Sequence, residues 1–410
     1  MKKIYLLAAL FPIIGIGQNV SVIALKSNDL AYSAATNKIY VSVKAENPTN
    51  GSSIGIINPQ TALMESSFSV GTEPSVLRIA ADGNVMYSGF LISPEIKKIN
   101  LFTQSVSTTI ALGSNTETGN YLAEDIVILP GENTIAVSRK NRNFAPRHEG
   151  VAIFENGVVR TTASKNHTGA NQIEWLSNGQ LLGFNNETTE YGIRKMTFGA
   201  DGIANTQTAR VEAINGNLTF AIHDDVAFFS NGKALQNLAV DPVVAGTFEN
   251  AFGPVVYDQT ANLVCYASNN LLGGISLNRY NPTDFSLVDS HPITQVTGIV
   301  KSIVSCGNGC YAMNTADQVI VVNNVLATNP FSKIDRVSIY PNPARDLLNV
   351  RSSMDVTKVV FYNTIGQVAK TISGFEKGTH AIDVSGLHSG TYYVKMTTEN
   401  ETFTQKLIKL

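Results

Sequence analysis

One pattern recurs seven times between Leu30 and Met313: a strand-forming run, a tight turn holding Asn, Gly or Asp, and a second strand ending in small or apolar residues. The turns centre on Asn37, Asn84, Asn133, Gly179, Asp224, Asn262 and Asn308, at successive spacings of 47, 49, 46, 45, 38 and 46 residues. A hairpin at that period leaves room for two further strands per repeat, and these can be read in places. Ser53 to Ile57 leads into Leu63 to Val70, Glu95 to Leu101 into Ser105 to Leu112, and Gly150 to Phe154 into Val158 to Ala163. Four strands repeated with this period describe the blade of a β-propeller. Two unrelated sandwiches in tandem would not produce a regular period. Seven blades are expected; the short 38-residue spacing leaves six or eight open. The strand-like stretch Asn19 to Leu25 precedes the first hairpin and is expected to complete the seventh blade from outside, closing the ring and removing its exposed edges.

Composition agrees with an all-β chain. Charged residues are only 15% against 43% apolar, and there are 32 glycines and 14 prolines for turns. The formal net charge of -2 offers no basic field, which argues against nucleic acid as a partner. At the N-terminus, Lys2 and Lys3 precede a short apolar run, and Gly15-Ile16-Gly17 supplies small residues before Gln18. This is the pattern of a secretory signal over residues 1–17 with cleavage between Gly17 and Gln18. No segment of the mature chain approaches the length of a transmembrane helix.

The C-terminal 75 residues alternate in about seven short strands, enough for a small Ig-like β-sandwich. Ile339-Tyr340-Pro341-Asn342-Pro343-Ala344, followed by Leu347-Leu348-Asn349-Val350, resembles the opening of the C-terminal sorting domain used by the type IX secretion system. YNTIGQVA at Tyr362 to Ala369 (with Gly366), IDVSGLHSGTYYVKM at Ile382 to Met396 (with Gly390 and Tyr392) and the closing QKLIKL (with Lys406 and Lys409) resemble its later motifs. The resemblance implies a cleavable export signal of Bacteroidota-type bacteria. It implies passage through the periplasm to the outer cell surface or the medium, with the type IX machinery as partner. An accessory sandwich with a binding role of its own is the alternative. The expected organisation is a signal peptide over 1–17, a propeller over 18–327, a linker over 328–335 and a sorting domain over 336–410.

The segment from Ser69 to Gly89 is similar to the YVTN (YncE-type) seven-bladed repeat, with Val70 four residues before Pro74, and then Asp82-Gly83. Blades three to six lack the Pro and often the Asp-Gly. That resemblance implies binding or scaffolding more than a defined chemistry.

Sites are sparse. The histidines at 148, 167, 223, 291, 380 and 388 show no zinc spacing, there is no Cys-x-x-Cys, and no calcium loop, phosphate loop or nucleophile elbow is present. No metal, cofactor or catalytic residue is assigned. Glu124-Asp125 opens an inner strand, where a capping or surface role competes with a functional one. Cys306 and Cys310 bracket a tight turn and are expected to form a disulfide in an oxidising compartment, with two free thiols as the alternative. The longest loops, Lys44 to Ser52, Ser138 to Glu149, Asn185 to Tyr191, Ser268 to Gly274 and the interblade stretch Gly113 to Glu124, are expected on one face. Among them the run Arg139, Lys140, Arg142, Phe144, Arg147 and His148 is the candidate binding loop, either for an anionic group on a glycan or protein ligand or as plain solvated surface. The expected function is a secreted or cell-surface binding protein. The alternative is an extracellular propeller enzyme, a lyase or hydrolase acting on glycans or lactones.

Overall fold

Each recurring segment folds as an antiparallel hairpin with two more strands behind it, giving seven four-stranded sheets. The computed structural model describes residues 19–131, 133–165, 169–269, 274–296, 298–323, 337–352, 354–364, 366–399 and 402–410. The signal segment with Gly17 and Gln18, the linker at 328–335, and His167 lie outside the described residues. Two compact units divide the chain, one within residues 1–327 and one within 328–410.

In the first unit the innermost strands of blades one to seven are Ser27–Ser33, Pro74–Ile79, Leu122–Ile128, Gln172–Trp175, Phe220–His223, Val255–Asp258 and Ser302–Gly307. Each hairpin turns through a backbone that needs positive φ. Asn37, Asp224, Asn262 and Asn308 adopt it themselves (φ 47 to 55°), while in blades two and three Gly83 and Gly131 do so instead of the neighbouring Asn. The second strands, such as Lys38–Val43 and Thr134–Lys140, are buried on both faces, hence their near-continuous apolar reading. Outer strands such as Ser105–Ala111 are mostly exposed. The core lies between neighbouring blades: Tyr40, Ile54, Met86 and Phe90 join blades one and two, and Leu182, Phe184, Phe229 and Leu235 join four and five. Blade five is short because all its strands are four or five residues long. Large rings, such as Phe184 and Phe229 edge to face at 5.1 Å, fill the space there. The ring closes as expected: Asn19–Ala24 pairs antiparallel with Gln318–Asn323, Asn19 opposite Asn323 and Ala24 opposite Gln318.

Several of the expected loops are partly strand. Thr134–Lys140 and His148–Glu155 extend into the supposed loop from Ser138 to Glu149, leaving 141–147 as the connection. The interblade stretch carries a small ribbon, Ser114–Asn115 paired with Gly119–Asn120.

The second unit is a sandwich of a three-stranded sheet (Val337–Tyr340, Leu347–Ser352, Gly378–Asp383) and a four-stranded one (Val368–Phe375, Val356–Asn363, Gly390–Thr397, Thr402–Lys409). Leu348, Val350, Ile382, Phe361, Val394 and Leu407 fill its core. Alternation along Gly390–Thr397 puts Tyr392, Val394 and Met396 inside and Tyr393 and Lys395 outside.

Candidate functional site

The innermost strands of blades one to three each carry an irregularity near their start, at Ser27/Leu30, Pro74/Leu77 and Ala123/Asp125. Bulges of this kind re-aim side chains. The equivalent aspartates of blades one and three then clasp the next blade. Asp29 accepts the Leu77 N–H of blade two at 3.0 Å, and Asp125 accepts the Ile173 N–H of blade four at 3.0 Å. Between them lies the Arg78 guanidinium, 3.2 Å from Asp29 Oδ2 and 2.5 Å from Asp125 Oδ1. Glu174 of blade four lines the same cavity of about 480 Å³.

The electrostatics follow from this crowding. Burial pushes the Asp29 carboxyl up against the opposing pull of Arg78. Burial lowers the Arg78 pKa, but the carboxylates of Asp125, Asp29 and Glu174 outweigh it and hold the guanidinium above its ordinary value. Burial, with Asp125 adding to it and Arg78 opposing, pushes Glu174 from 4.5 up to about 7. A carboxyl raised in the folded state contributes stability that is complete below its unfolded pKa and is lost as pH rises through the folded one. Chemical denaturation at pH 5 and pH 8 is expected to show the loss. Glu174→Gln should flatten that slope and stabilise the protein at pH 8 by on the order of 2 kcal/mol.

At the end of the cavity where the innermost strands begin, four polar atoms are buried with no hydrogen-bond partner among the described residues: Ser75 Oγ, Glu124 Oε2, Asn171 Oδ1 and Gln172 Oε1. Three of the four are acceptors only. Asn171 is 2% exposed and Ser75 7%. Leaving such groups unpaired is costly, so a cluster of them lining one cavity marks a place built to be filled.

The basic loop of blade three stands beside this mouth with most of its cations engaged. The Arg139 guanidinium lies 4.3 Å from the centre of the Tyr121 ring and donates to the Glu149 carbonyl at 3.0 Å, and burial lowers its pKa. His148 is buried, with Ser138 Oγ 3.4 Å from Nδ1 and the Ala170 N–H donating to Nε2 at 3.4 Å. Lys140 lies 3.8 Å from Glu124, and Arg147 lies 2.5 Å from Glu187. Glu187 in turn accepts from Asn171 Nδ2 at 3.1 Å. Only Arg142 and Phe144 of the six stand exposed without such a role. The extended strands draw Arg139 and His148 inside, and local carboxylates pair with Lys140 and Arg147. Asp29, Arg78, Asn171 and Glu174 had not been singled out from the sequence.

Cys306 and Cys310 are joined, with Cα atoms 4.9 Å apart. Cys265 is a buried free thiol 3.2 Å from the Tyr311 hydroxyl, pushed up by burial. In the sandwich, Pro341, Asn342 and Pro343 are exposed, and Asn342 docks their loop on the last strand, donating to the Lys406 carbonyl at 2.7 Å and accepting the Ile408 N–H at 2.9 Å. Tyr340 is exposed. Tyr392 is buried and donates to the His388 carbonyl at 2.9 Å. Gly366 turns at φ 81°, Gly390 opens a strand, Lys406 faces solvent and Lys409 is buried.

A seven-bladed β-propeller followed by a small β-sandwich is the architecture these observations define. Residues 338–410 match the family described as secretion system C-terminal sorting domain. That domain belongs to type IX secretion, so the protein is exported to the cell surface or secreted, and its tail engages that machinery. A solved structure of hydrazine synthase from Kuenenia stuttgartiensis is similar with a TM-score of 0.52 at 11% identity, over 74% of this chain and 97% of that one. At that identity the likeness concerns the fold alone. No curated protein sequence matches the chain. Among the described residues no helix is long and apolar enough to cross a membrane, and no group of three or more His, Cys, Asp or Glu side chains is placed to hold a metal.

Proposed function

We propose that the exported propeller is a binding protein that captures an amine-bearing ligand at the mouth of its central cavity. The observation that carries this reading is the cluster of unpaired acceptors, Glu124 Oε2, Asn171 Oδ1 and Gln172 Oε1. An ammonium group brings three donors and no acceptor, the complement of such a set. The cavity charge points the same way: Asp29, Glu124, Asp125 and Glu174 outnumber Arg78 and Lys301 along its lining. The anion-binding reading of the blade-three loop is set aside for the same reason.

The test is calorimetric titration of the full chain with a glucosamine hexasaccharide and with its fully N-acetylated counterpart, and with a short peptide carrying a free or acetylated N-terminus. The free amines are expected to bind and the acetylated forms not. Asn171→Leu and Glu124→Gln should each weaken binding by roughly tenfold, as expected for a hydrogen bond to a charged group. Equal affinity for free and acetylated forms would overturn the assignment. A second reading, an extracellular lyase or hydrolase acting on glycans or lactones, draws on Glu174, a carboxyl pushed to about 7 beside Asp125 and so suited to general acid work. Turnover that Glu174→Gln abolishes, with binding retained, would favour it.

A further inference from the structure

On the opposite face, where the hairpin turns lie, blade seven differs from its neighbours. The turns of blades one and six each hold four residues between their last paired positions, Ser33 with Lys38 and Asp258 with Leu263. In blade seven Gly307 pairs with Cys310, so only Asn308 and Gly309 intervene, and the Cys306–Cys310 bridge ties this short turn. A short turn between two longer ones is recessed. The result is a cleft of about 830 Å³ with the disulfide turn as floor and the turns of blades one and six as walls.

The walls repeat one device. In blade one the Tyr32 hydroxyl donates to Asn37 at 3.0 Å, and in blade six the Tyr257 hydroxyl donates to Asn262; each tyrosine is thereby locked to the turn five residues on. Both tyrosines line the cleft. His223 stacks on Tyr257 with ring centroids 3.5 Å apart, which holds that wall from behind. The lining contains no Asp, Glu, Lys, Arg or His. It does contain the exposed amides of Asn19, Gln60, Gln259 and Asn308, whose side chains make no hydrogen bond among the described residues. Asn323, also in the lining, donates to the Pro59 carbonyl at 2.7 Å and so braces the end of the cleft against blade one.

We propose that this cleft is a second binding site, for an uncharged oligosaccharide. Each planar amide offers a donor pair and an acceptor side by side, the pattern that adjacent sugar hydroxyls satisfy. Tyrosine rings supply an apolar body for the C–H face of a sugar with a polar tip already engaged. The lack of any charge gives no reward for a phosphate, a uronic acid or an amine, which separates this cleft from the acidic cavity on the other face. An extended peptide is the competing occupant, and the peptide arm of the test below separates the two.

The test uses the full chain, titrated by calorimetry with hexasaccharides of α-1,4-glucose, β-1,4-glucose and β-1,4-mannose, with hexagalacturonate as the acidic comparison. At least one neutral hexasaccharide is expected to bind, and hexagalacturonate is not. The double substitution Gln60→Ala with Gln259→Ala, both at exposed positions, should weaken that binding at least ~10-fold with an unchanged melting temperature. Asn171→Leu, in the other cavity, should leave it untouched. Three results would overturn the proposal: no neutral hexasaccharide binds, binding is unaltered by the double substitution, or a random peptide library yields binders that the double substitution eliminates while the sugars do not bind.

Discussion

Removing Asn19–Ala24 lowers the melting temperature of the protein by at least ~10 °C, the largest effect expected of any small change in the ring. These six residues pair one for one with Gln318–Asn323 and, among the described residues, are the one strand of a blade drawn from a distant part of the chain. Val20 packs against the core shared with blade six, and Ile23 against the core shared with blade one. Without the strand, Val319, Ile320, Val321 and Val322, all fully buried, become an open edge. Such an edge loses its ladder and invites pairing with another chain. What still joins blade seven to blade one is the apolar core of Val41, Ile57, Ala312 and Val321, with Asn314 Nδ2 donating to Ser27 Oγ at 3.1 Å and Asn323 Nδ2 donating to the Pro59 carbonyl at 2.7 Å. The lost burial and pairing amount to on the order of 4 kcal/mol or more, a size that single surface changes do not reach. Scanning calorimetry of the intact and shortened chains decides it, and coincident transitions would mean the ring does not depend on this clasp.

The ring was legible because its information is local and repeated. Turn residues that accept positive φ recur with the strands, and seven imperfect copies reinforce one another where any single copy is ambiguous. Residues 19–25 could be assigned to blade seven because a strand with no hairpin partner of its own must find an edge. The sandwich was legible through separate motifs in a fixed order. The cavity was another matter. Asp29 and Asp125 each stand eight residues before their turn, at Asn37 and Asn133, and this shared offset is a signal in the sequence. What it means is visible only when blades are placed side by side, since each aspartate bonds the blade after its own. Arg78 is likewise unremarkable until two blades bring carboxylates to it. The basic run from Arg139 to His148 shows the converse. Charge density along a chain says nothing of partners 40 residues away, and Glu187 is that partner for Arg147.

Arg78→Met offers the sharpest test of how the channel is held together. The guanidinium answers Asp29 of blade one and Asp125 of blade three, with Glu174 of blade four in its field. Deleting it leaves three carboxyl groups without a counterion, a change that costs about 3 kcal/mol, the lower end for a broken buried pair because the Arg78 side chain is 36% exposed. The pH dependence separates this cause from lost packing. Without Arg78, burial and mutual repulsion raise the folded-state pKa values of Asp29 and Glu174 further above their unfolded values. Stability is then retained at low pH and lost as pH rises. The deficit of Arg78→Met is therefore expected to be small at pH 5 and large at pH 8, measured by chemical denaturation against the wild type at each pH. Adding Glu174→Gln should restore part of the loss at pH 8, because it removes one of the three repelling groups. A deficit that is equal at both pH values, with the two substitutions strictly additive, would mean that Arg78 serves by its methylene contacts and that the carboxyls do not share one field.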